Sequence, residues 1–66
     1  MKFGNCVLRE AGNVQVGDKV CFELESANYV VDEIDITQIG MVRHKHKYGS
    51  NSYWPNEILY VESLNA

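Results

Sequence analysis

The stretch Asp18-Lys19-Val20-Cys21-Phe22-Glu23-Leu24 decides the fold class of this chain. Every second residue from Val20 to Leu24 is large and apolar, so these side chains share one face of an extended backbone. Alternation with a period of two is typical of a β-strand that has one buried face. Gly17, directly before the stretch, can adopt the positive φ angle of a tight turn. The stretch therefore predicts a strand preceded by a turn.

Four further segments have the length and composition of strands, namely residues 29–36, 40–46, 52–54 and 59–64. Short turns separate them, with a turn predicted over 48–51, and Pro55 ends the fourth because it has no N–H for a ladder. Residues 56–58 are predicted to form one 3₁₀ turn. A chain of 66 residues has no room for a second layer of long helices, and no window shows a helical period. The sequence predicts an all-β domain of five strands.

Alternation within these strands also predicts which side chains fill the core. The predicted core residues are Val20, Phe22, Val31, Ile34, Val42, Ile58, Leu59 and Val61. Residues 14–64 are predicted to form the folded domain, and residues 1–13 an N-terminal extension or an edge strand.

Composition limits the class of protein further. Nine acidic side chains against six lysines and arginines give a net charge of −3, which argues against nonspecific capture of nucleic acid by the whole surface. No signal peptide and no membrane-spanning stretch are recognisable, so a cytoplasmic location is expected. In that compartment Cys6 and Cys21 are interpreted as reduced, largely buried hydrophobic residues.

The order of the motifs resembles that of a known fold. Val16-Gly17-Asp18-Lys19-Val20 comes first, and Tyr53-Trp54-Pro55-Asn56-Glu57-Ile58-Leu59 precedes the last strand. Over residues 14–64 this order resembles small SH3-like barrels of bacteria, in particular short uncharacterised proteins with V-G-D-x-V and W-F-P-x-x-x-L motifs. The resemblance implies a small five-stranded SH3-like barrel with one short 3₁₀ turn before the last strand.

A second resemblance is to the plasmid-borne type II dihydrofolate reductase, an SH3-like barrel that assembles as a tetramer around one central pore. Its pore motif, V-Q-I-Y-P, corresponds to Asn51-Ser52-Tyr53-Trp54-Pro55 in this chain. Only the proline is retained, and Ser52 and Tyr53 replace the glutamine and isoleucine that contact the ligands there. The resemblance implies the architecture but not the reductase chemistry.

The sharpest feature of the composition is a cluster of cations followed by aromatic residues. The candidate binding residues are Arg43, Lys45, Lys47, Tyr48, Tyr53 and Trp54. One interpretation is a surface that holds an anionic partner and stacks unpaired bases on its aromatic rings. The other is a hairpin whose cations protect its edge or pair with Asp32, Glu33 and Asp35 on the neighbouring strand. Trp54 is expected to pack in the core, and Tyr53 to face outward.

Catalytic and metal-binding chemistry is not expected. His44 and His46 share a strand face, but the cations Arg43, Lys45 and Lys47 around them would repel a metal ion, so both are interpreted as solvated histidines. The neighbouring carboxylates at 32, 33 and 35 lie on one strand and do not face each other across a cleft. No nucleophile or phosphate-loop motif is present, so neither catalytic residues nor a cofactor are predicted.

These observations favour a non-enzymatic binding module whose contact surface is the hairpin 43–54. A protein partner or self-association through aromatic residues and an open strand edge is the expected mode. The alternative is binding of single-stranded nucleic acid or another polyanion. A second alternative is an oligomer resembling the type II reductase.

Overall fold

The computed structural model describes residues 6–63, which form β-strands and two 3₁₀ turns. In chain order the elements are β1 (Val7–Glu10), a 3₁₀ turn (Ala11–Asn13), β2 (Lys19–Cys21), a second 3₁₀ turn (Glu25–Ala27), β3 (Tyr29–Val30), β4 (Glu33–Ile36), β5 (Val42–His46), β6 (Gly49–Tyr53) and β7 (Ile58–Glu62). Residues 6–63 contain no α-helix. The all-β prediction is confirmed.

The strands form two antiparallel sheets that do not close into one barrel. One sheet has the order β1-β7-β2-β3 and the other the order β4-β5-β6. The chain passes from one sheet to the other at Val31 and Asp32: the Val31 N–H donates to the Asp18 carbonyl (2.9 Å), and the Asp32 N–H donates to the Lys45 carbonyl (2.8 Å). The single strand predicted over 29–36 is therefore two strands, because consecutive residues there bond to different sheets.

The core lies between the sheets and follows most of the sequence prediction. Its central cluster consists of Val14, Val20, Tyr29, Val31 and Val61, with Phe22, Ile34, Tyr53 and Leu59 packed against it. Val42 is also buried. The prediction for Ile58 is wrong, since its side chain is 56% exposed. Leu59 and Val61 of β7 point inward, and neighbours on a strand point to opposite faces.

Two turns differ from the prediction. The β5–β6 turn lies at Lys47 and Tyr48 rather than over 48–51, and β6 already begins at Gly49, whose φ of 136° few other residues adopt. Before β7 the Glu57 N–H donates to the Trp54 carbonyl (3.0 Å), which closes a simple reverse turn. Proline is favoured at the second position of such a turn. The predicted 3₁₀ turn is wrong at this place; both 3₁₀ turns occur earlier in the chain.

Candidate binding surface

The cations of the β5–β6 hairpin are largely neutralised by carboxylates on β4. Arg43 donates two hydrogen bonds to Asp35, from Nε to Oδ1 (2.8 Å) and from Nη2 to Oδ2 (2.7 Å). Lys45 Nζ lies 3.6 Å from Asp35 Oδ2 and 3.7 Å from Glu33 Oε1. The antiparallel register sets Asp35 opposite Arg43 and Glu33 opposite Lys45, which makes these ion pairs a consequence of strand pairing.

The electrostatics of the Asp35 pair agree with this geometry. The hydrogen bonds from Arg43 lower the pKa of Asp35, and the same bonds raise the pKa of Arg43. Asp32 is the third carboxylate that the sequence predicts to pair with these cations. Its backbone N–H donates to the Lys45 carbonyl, whereas the Lys45 ammonium pairs with Glu33 and Asp35. At Arg43 and Lys45 the structure therefore shows cation–carboxylate pairs between neighbouring strands. This is the second of the two interpretations of the cation cluster.

Lys47 and Tyr48 form the exposed tip of the hairpin. The Tyr48 N–H donates to His46 Nδ1 (3.3 Å), and Lys47 Nζ lies 5.8 Å from the centroid of the Tyr48 ring. Tyr48 is 74% exposed. Within residues 6–63, no carboxylate lies within 4.0 Å of Lys47 Nζ. The tip thus presents an aromatic ring and a cation to solvent.

Tyr53 and Trp54 are oriented opposite to the prediction. Tyr53 packs against the core, and its hydroxyl accepts hydrogen bonds from the Tyr29 hydroxyl (3.1 Å) and from Asn51 Nδ2 (3.2 Å). Trp54 is 47% exposed. The reason is register: Tyr53 lies opposite the buried Val42, and directly opposite residues share a sheet face. The six candidate residues are therefore not brought together on one surface.

His44 is fully buried, so its interpretation as a solvated histidine is wrong. Its Nδ1 lies 2.9 Å from the Tyr29 hydroxyl. The same hydroxyl lies 3.1 Å from the Tyr53 hydroxyl, so Tyr29 joins the buried His44 to Tyr53. In the described residues Nε2 has no hydrogen-bond partner. His46 is only half-buried; its ring stacks on Tyr29, and its Nε2 pairs with Asn51 Oδ1 (2.9 Å).

The stability of the fold is expected to depend on the protonation of His44. Burial lowers the pKa of His44, the nearby His46 lowers it further, and a backbone group of Ala11 opposes the shift. The unfolded chain then binds a proton that folded His44 does not, so the free energy of unfolding should fall as the pH drops below about 6.5. Urea unfolding between about pH 7.5 and 5.5, where carboxylates stay ionised, measures this dependence.

The matched controls are His44→Gln and His46→Gln. The first should flatten the pH dependence in this range, whereas the second should largely retain it. An unchanged pH dependence in His44→Gln would show that another group is responsible.

A groove of about 470 Å³ lies between the hairpin tip and strand β3. Its lining residues are Lys19, Asn28, Tyr29, Val30, Asp32, Lys47 and Tyr48. Strand β3 is the edge of the four-stranded sheet. The Val31 N–H donates to the Asp18 carbonyl, and the Val31 carbonyl accepts from the Gly17 N–H, so both groups face the β2 side. The main-chain groups of successive residues alternate in direction along a strand. The N–H and C=O of Val30 are therefore directed away from β2, at the open edge.

The sequence predicts the binding residues on one side of this groove but not those on the other. Lys47 and Tyr48 were predicted as binding residues, whereas Lys19, Asn28 and Val30 were not. The β3 edge is open because the chain crosses from one sheet to the other at Val31 and Asp32. Which sheet each of these residues joins depends on pairing with distant strands, and a local sequence pattern does not specify it. The only sequence hint is the change at this point from apolar to acidic residues.

Comparisons with protein families, with characterised proteins and with solved structures found no match for this chain. A membrane-spanning helix is likewise absent from residues 6–63, since no helix there is long and apolar enough.

Proposed function

We propose that this chain is a non-enzymatic protein-interaction module that binds an extended segment of a partner protein, or of a second copy of itself. The binding site is the groove between β3 and the hairpin tip. The observation that carries the proposal is the composition of its walls, with the outward main-chain groups of Val30 on one side and exposed Lys47 and Tyr48 on the other. We also propose a cytoplasmic location, a compartment in which the free cysteines Cys6 and Cys21 stay reduced.

Each wall contributes a known element of peptide recognition. An open strand edge pairs with an extended chain through main-chain hydrogen bonds, which supply affinity without sequence specificity. The Val30 side chain and the Tyr48 ring add apolar contact area, and Tyr is enriched at protein interfaces. Lys47, which has no carboxylate partner among residues 6–63, adds a preference for an acidic side chain in the bound segment.

We also propose that the fold is a variant of the SH3-like barrel. In support, when β3 and β4 are counted as one bent strand, the succession of neighbours is β7-β2-β3/β4-β5-β6, with β1 added beside β7. Residues 29–36 then act as one strand shared by the two sheets. This proposal concerns topology, because the two sheets do not close into a single hydrogen-bonded barrel.

The alternative functions have weaker support. For single-stranded nucleic acid, Arg43 and Lys45 are engaged by carboxylates, so Lys47 is the cation of the hairpin left to contact a phosphate. Binding would then fall with salt with a log–log slope of only about −0.7. For an oligomer resembling the type II reductase, Ser52 lacks the side-chain amide of the glutamine that contacts the ligand in that family.

The experiment is a selection of extended peptides from a random display library against the chain, combined with light scattering to measure self-association. Affinity for the selected peptide, or for the second copy, is then measured by calorimetry. Tyr48→Ala and Val30→Pro test the two walls, and Ile39→Ala is the matched control because Ile39 is exposed outside the groove.

Each groove variant should weaken binding about 3- to 10-fold, the equivalent of one hydrogen bond or one modest apolar contact. Val30→Pro removes an N–H that takes no part in the β2–β3 ladder, so the fold should be retained. Ile39→Ala should bind like the parent chain. Equal affinity of all three variants would contradict the proposed groove, and binding of single-stranded DNA with no peptide or self-association would favour the polyanion alternative.

A further inference from the structure

The outer face of the four-stranded sheet, opposite the core, brings together two thiols and a carboxylate. In the register of β7, Cys21 lies opposite Tyr60 and Lys19 opposite Glu62, while Val61 between them points into the core. Cys6 directly precedes β1, and Val7 of β1 lies opposite Val61 of β7. Cys6 therefore lies beside Glu62, on the side of β7 that faces away from β2. The cluster therefore sits across β7 and borders the proposed groove at Lys19, which lines the groove and lies 3.8 Å from Glu62 Oε1.

The three side chains are close enough to share one ion. The sulfurs of Cys6 and Cys21 lie 2.8 Å apart, and these two sulfurs and a Glu62 carboxylate oxygen are all within 4.8 Å of one another. Cys21 is only 7% exposed although it lies outside the central core cluster. Cys6 and Glu62 are half-buried, so the cluster is open to solvent on one side.

We propose that Cys6, Cys21 and Glu62 form a binding site for a soft divalent metal ion of the zinc class, with a fourth position open to water. Two thiolates and one carboxylate are ligands that zinc accepts in tetrahedral sites. Two thiolates on a tetrahedral zinc ion, with Zn–S bonds of about 2.3 Å, have their sulfurs about 3.8 Å apart. The sulfurs of Cys6 and Cys21, now 2.8 Å apart, would move about 1 Å away from each other to bind the ion. The proposal is independent of the proposed groove.

The charges around the cluster favour a dication. Two thiolates and one carboxylate carry three negative charges, and a divalent ion leaves one uncompensated. Lys19 Nζ lies 3.8 Å from Glu62 Oε1 and offsets it.

Cysteine ligates a metal ion as the thiolate, so binding to free thiols displaces their protons. The balanced step is M²⁺ + 2 RSH + R′COO⁻ → [M(SR)₂(OOCR′)]⁻ + 2 H⁺, in which two S–H bonds break and two metal–sulfur bonds form. Release of two protons for each ion is a signature that a surface carboxylate site would not give.

A disulfide is the competing fate of the same thiols. It would form by exchange with an oxidised thiol such as glutathione disulfide, with two glutathione thiols as the products. The sulfur–sulfur separation of 2.8 Å lies between the roughly 2.05 Å of a disulfide and the roughly 3.8 Å of two zinc-bound thiolates, so both products are within reach of the same thiols. Glu62 supplies a third ligand to an ion and has no role in a disulfide, which favours the metal.

The test is titration of the full chain with Zn²⁺ and with Co²⁺ under a phosphine reductant, in weak buffer. We expect one ion per chain, a thiolate-to-cobalt charge-transfer band, and release of two protons. Zn²⁺ at about 100 times its Kd should lower the apparent unfolding equilibrium constant about 100-fold. Cys21→Ser should abolish these effects, Glu62→Gln should weaken binding about tenfold or more, and Glu10→Gln, an exposed carboxylate on β1, should have no effect.

Three results would overturn the proposal. One is the absence of a charge-transfer band and of stabilisation by either ion. Another is parental affinity in Glu62→Gln, which would exclude the carboxylate as a ligand. The third is a chain whose intact mass is about two daltons below the reduced value after incubation with glutathione disulfide and Zn²⁺ together, because the disulfide would then win over the metal.

Discussion

Replacing Tyr29 with alanine is expected to lower the free energy of unfolding by about 3–5 kcal/mol. Tyr29 belongs to the central core cluster, and its ring centroid lies 4.1 Å from that of His46 and 6.0 Å from that of Phe22. Its hydroxyl, whose pKa is raised by burial, joins His44 to Tyr53. Alanine removes the apolar packing and this junction together. Urea unfolding followed by circular dichroism measures the loss.

The size of the chain makes this loss decisive. A domain of this length has a total stability of roughly 3–10 kcal/mol, so the loss is at least about a third of it and should lower the unfolding temperature by about 12 °C or more. Tyr29→Phe is the matched control: it keeps the ring and leaves the buried His44 Nδ1 without its hydrogen-bond partner, at a cost of about 1–3 kcal/mol. A Tyr29→Ala protein that melts within a degree or two of the parent would refute the described core.

Replacing Asp18 with alanine is expected to cost about 2–3 kcal/mol. Asp18 is 2% exposed, and its Oδ2 accepts hydrogen bonds from the Gln15 N–H (2.9 Å) and from Arg9 Nη1 (3.3 Å). The carboxylate thereby closes the turn that Gly17, with a φ of 94°, makes possible before β2. Alanine leaves the Gln15 N–H without an acceptor and Arg9 without its ion pair.

Asp18→Asn separates these two contributions. The asparagine side-chain carbonyl can still accept from Gln15, but it carries no charge for Arg9, so the loss should be about half that of alanine. Thermal unfolding of the three proteins at one pH gives the comparison. A loss below about 0.5 kcal/mol for Asp18→Ala, the range of an ordinary surface substitution, would show that this carboxylate does not hold the turn.

Much of the fold follows from patterns within single strands. Alternation around Val20 identified β2, and Gly17 with Asp18 marked the turn before it. The strand ends at Cys21, however, and Leu24, expected on the same face as Val20, is 69% exposed. The prediction was wrong for Ile58 because two adjacent apolar residues, Ile58 and Leu59, cannot both face the core from one strand. Only the pairing of β7 with β1 and β2 determines which of them does.

The site was harder to predict because it depends on contacts between strands. Whether Arg43 and Lys45 are available to a partner is decided by their register with Asp35 and Glu33. Tyr53 and Trp54 are adjacent, and the sequence does not say which of them faces the buried Val42. The thiols of residues 6 and 21 are 15 positions apart and meet only through the sheet.

The groove between β3 and the hairpin tip is tested most directly by nuclear magnetic resonance of the ¹⁵N-labelled chain, titrated with a selected peptide or, if it self-associates, with unlabelled chain. The predicted result is that the largest amide shifts occur at Val30, Lys47 and Tyr48, and that the Val30 amide becomes protected from hydrogen exchange. Shifts confined to Arg43, Lys45 and Ser52 on the outer face of the β5–β6 hairpin, with the Val30 amide unprotected, would contradict the proposed site.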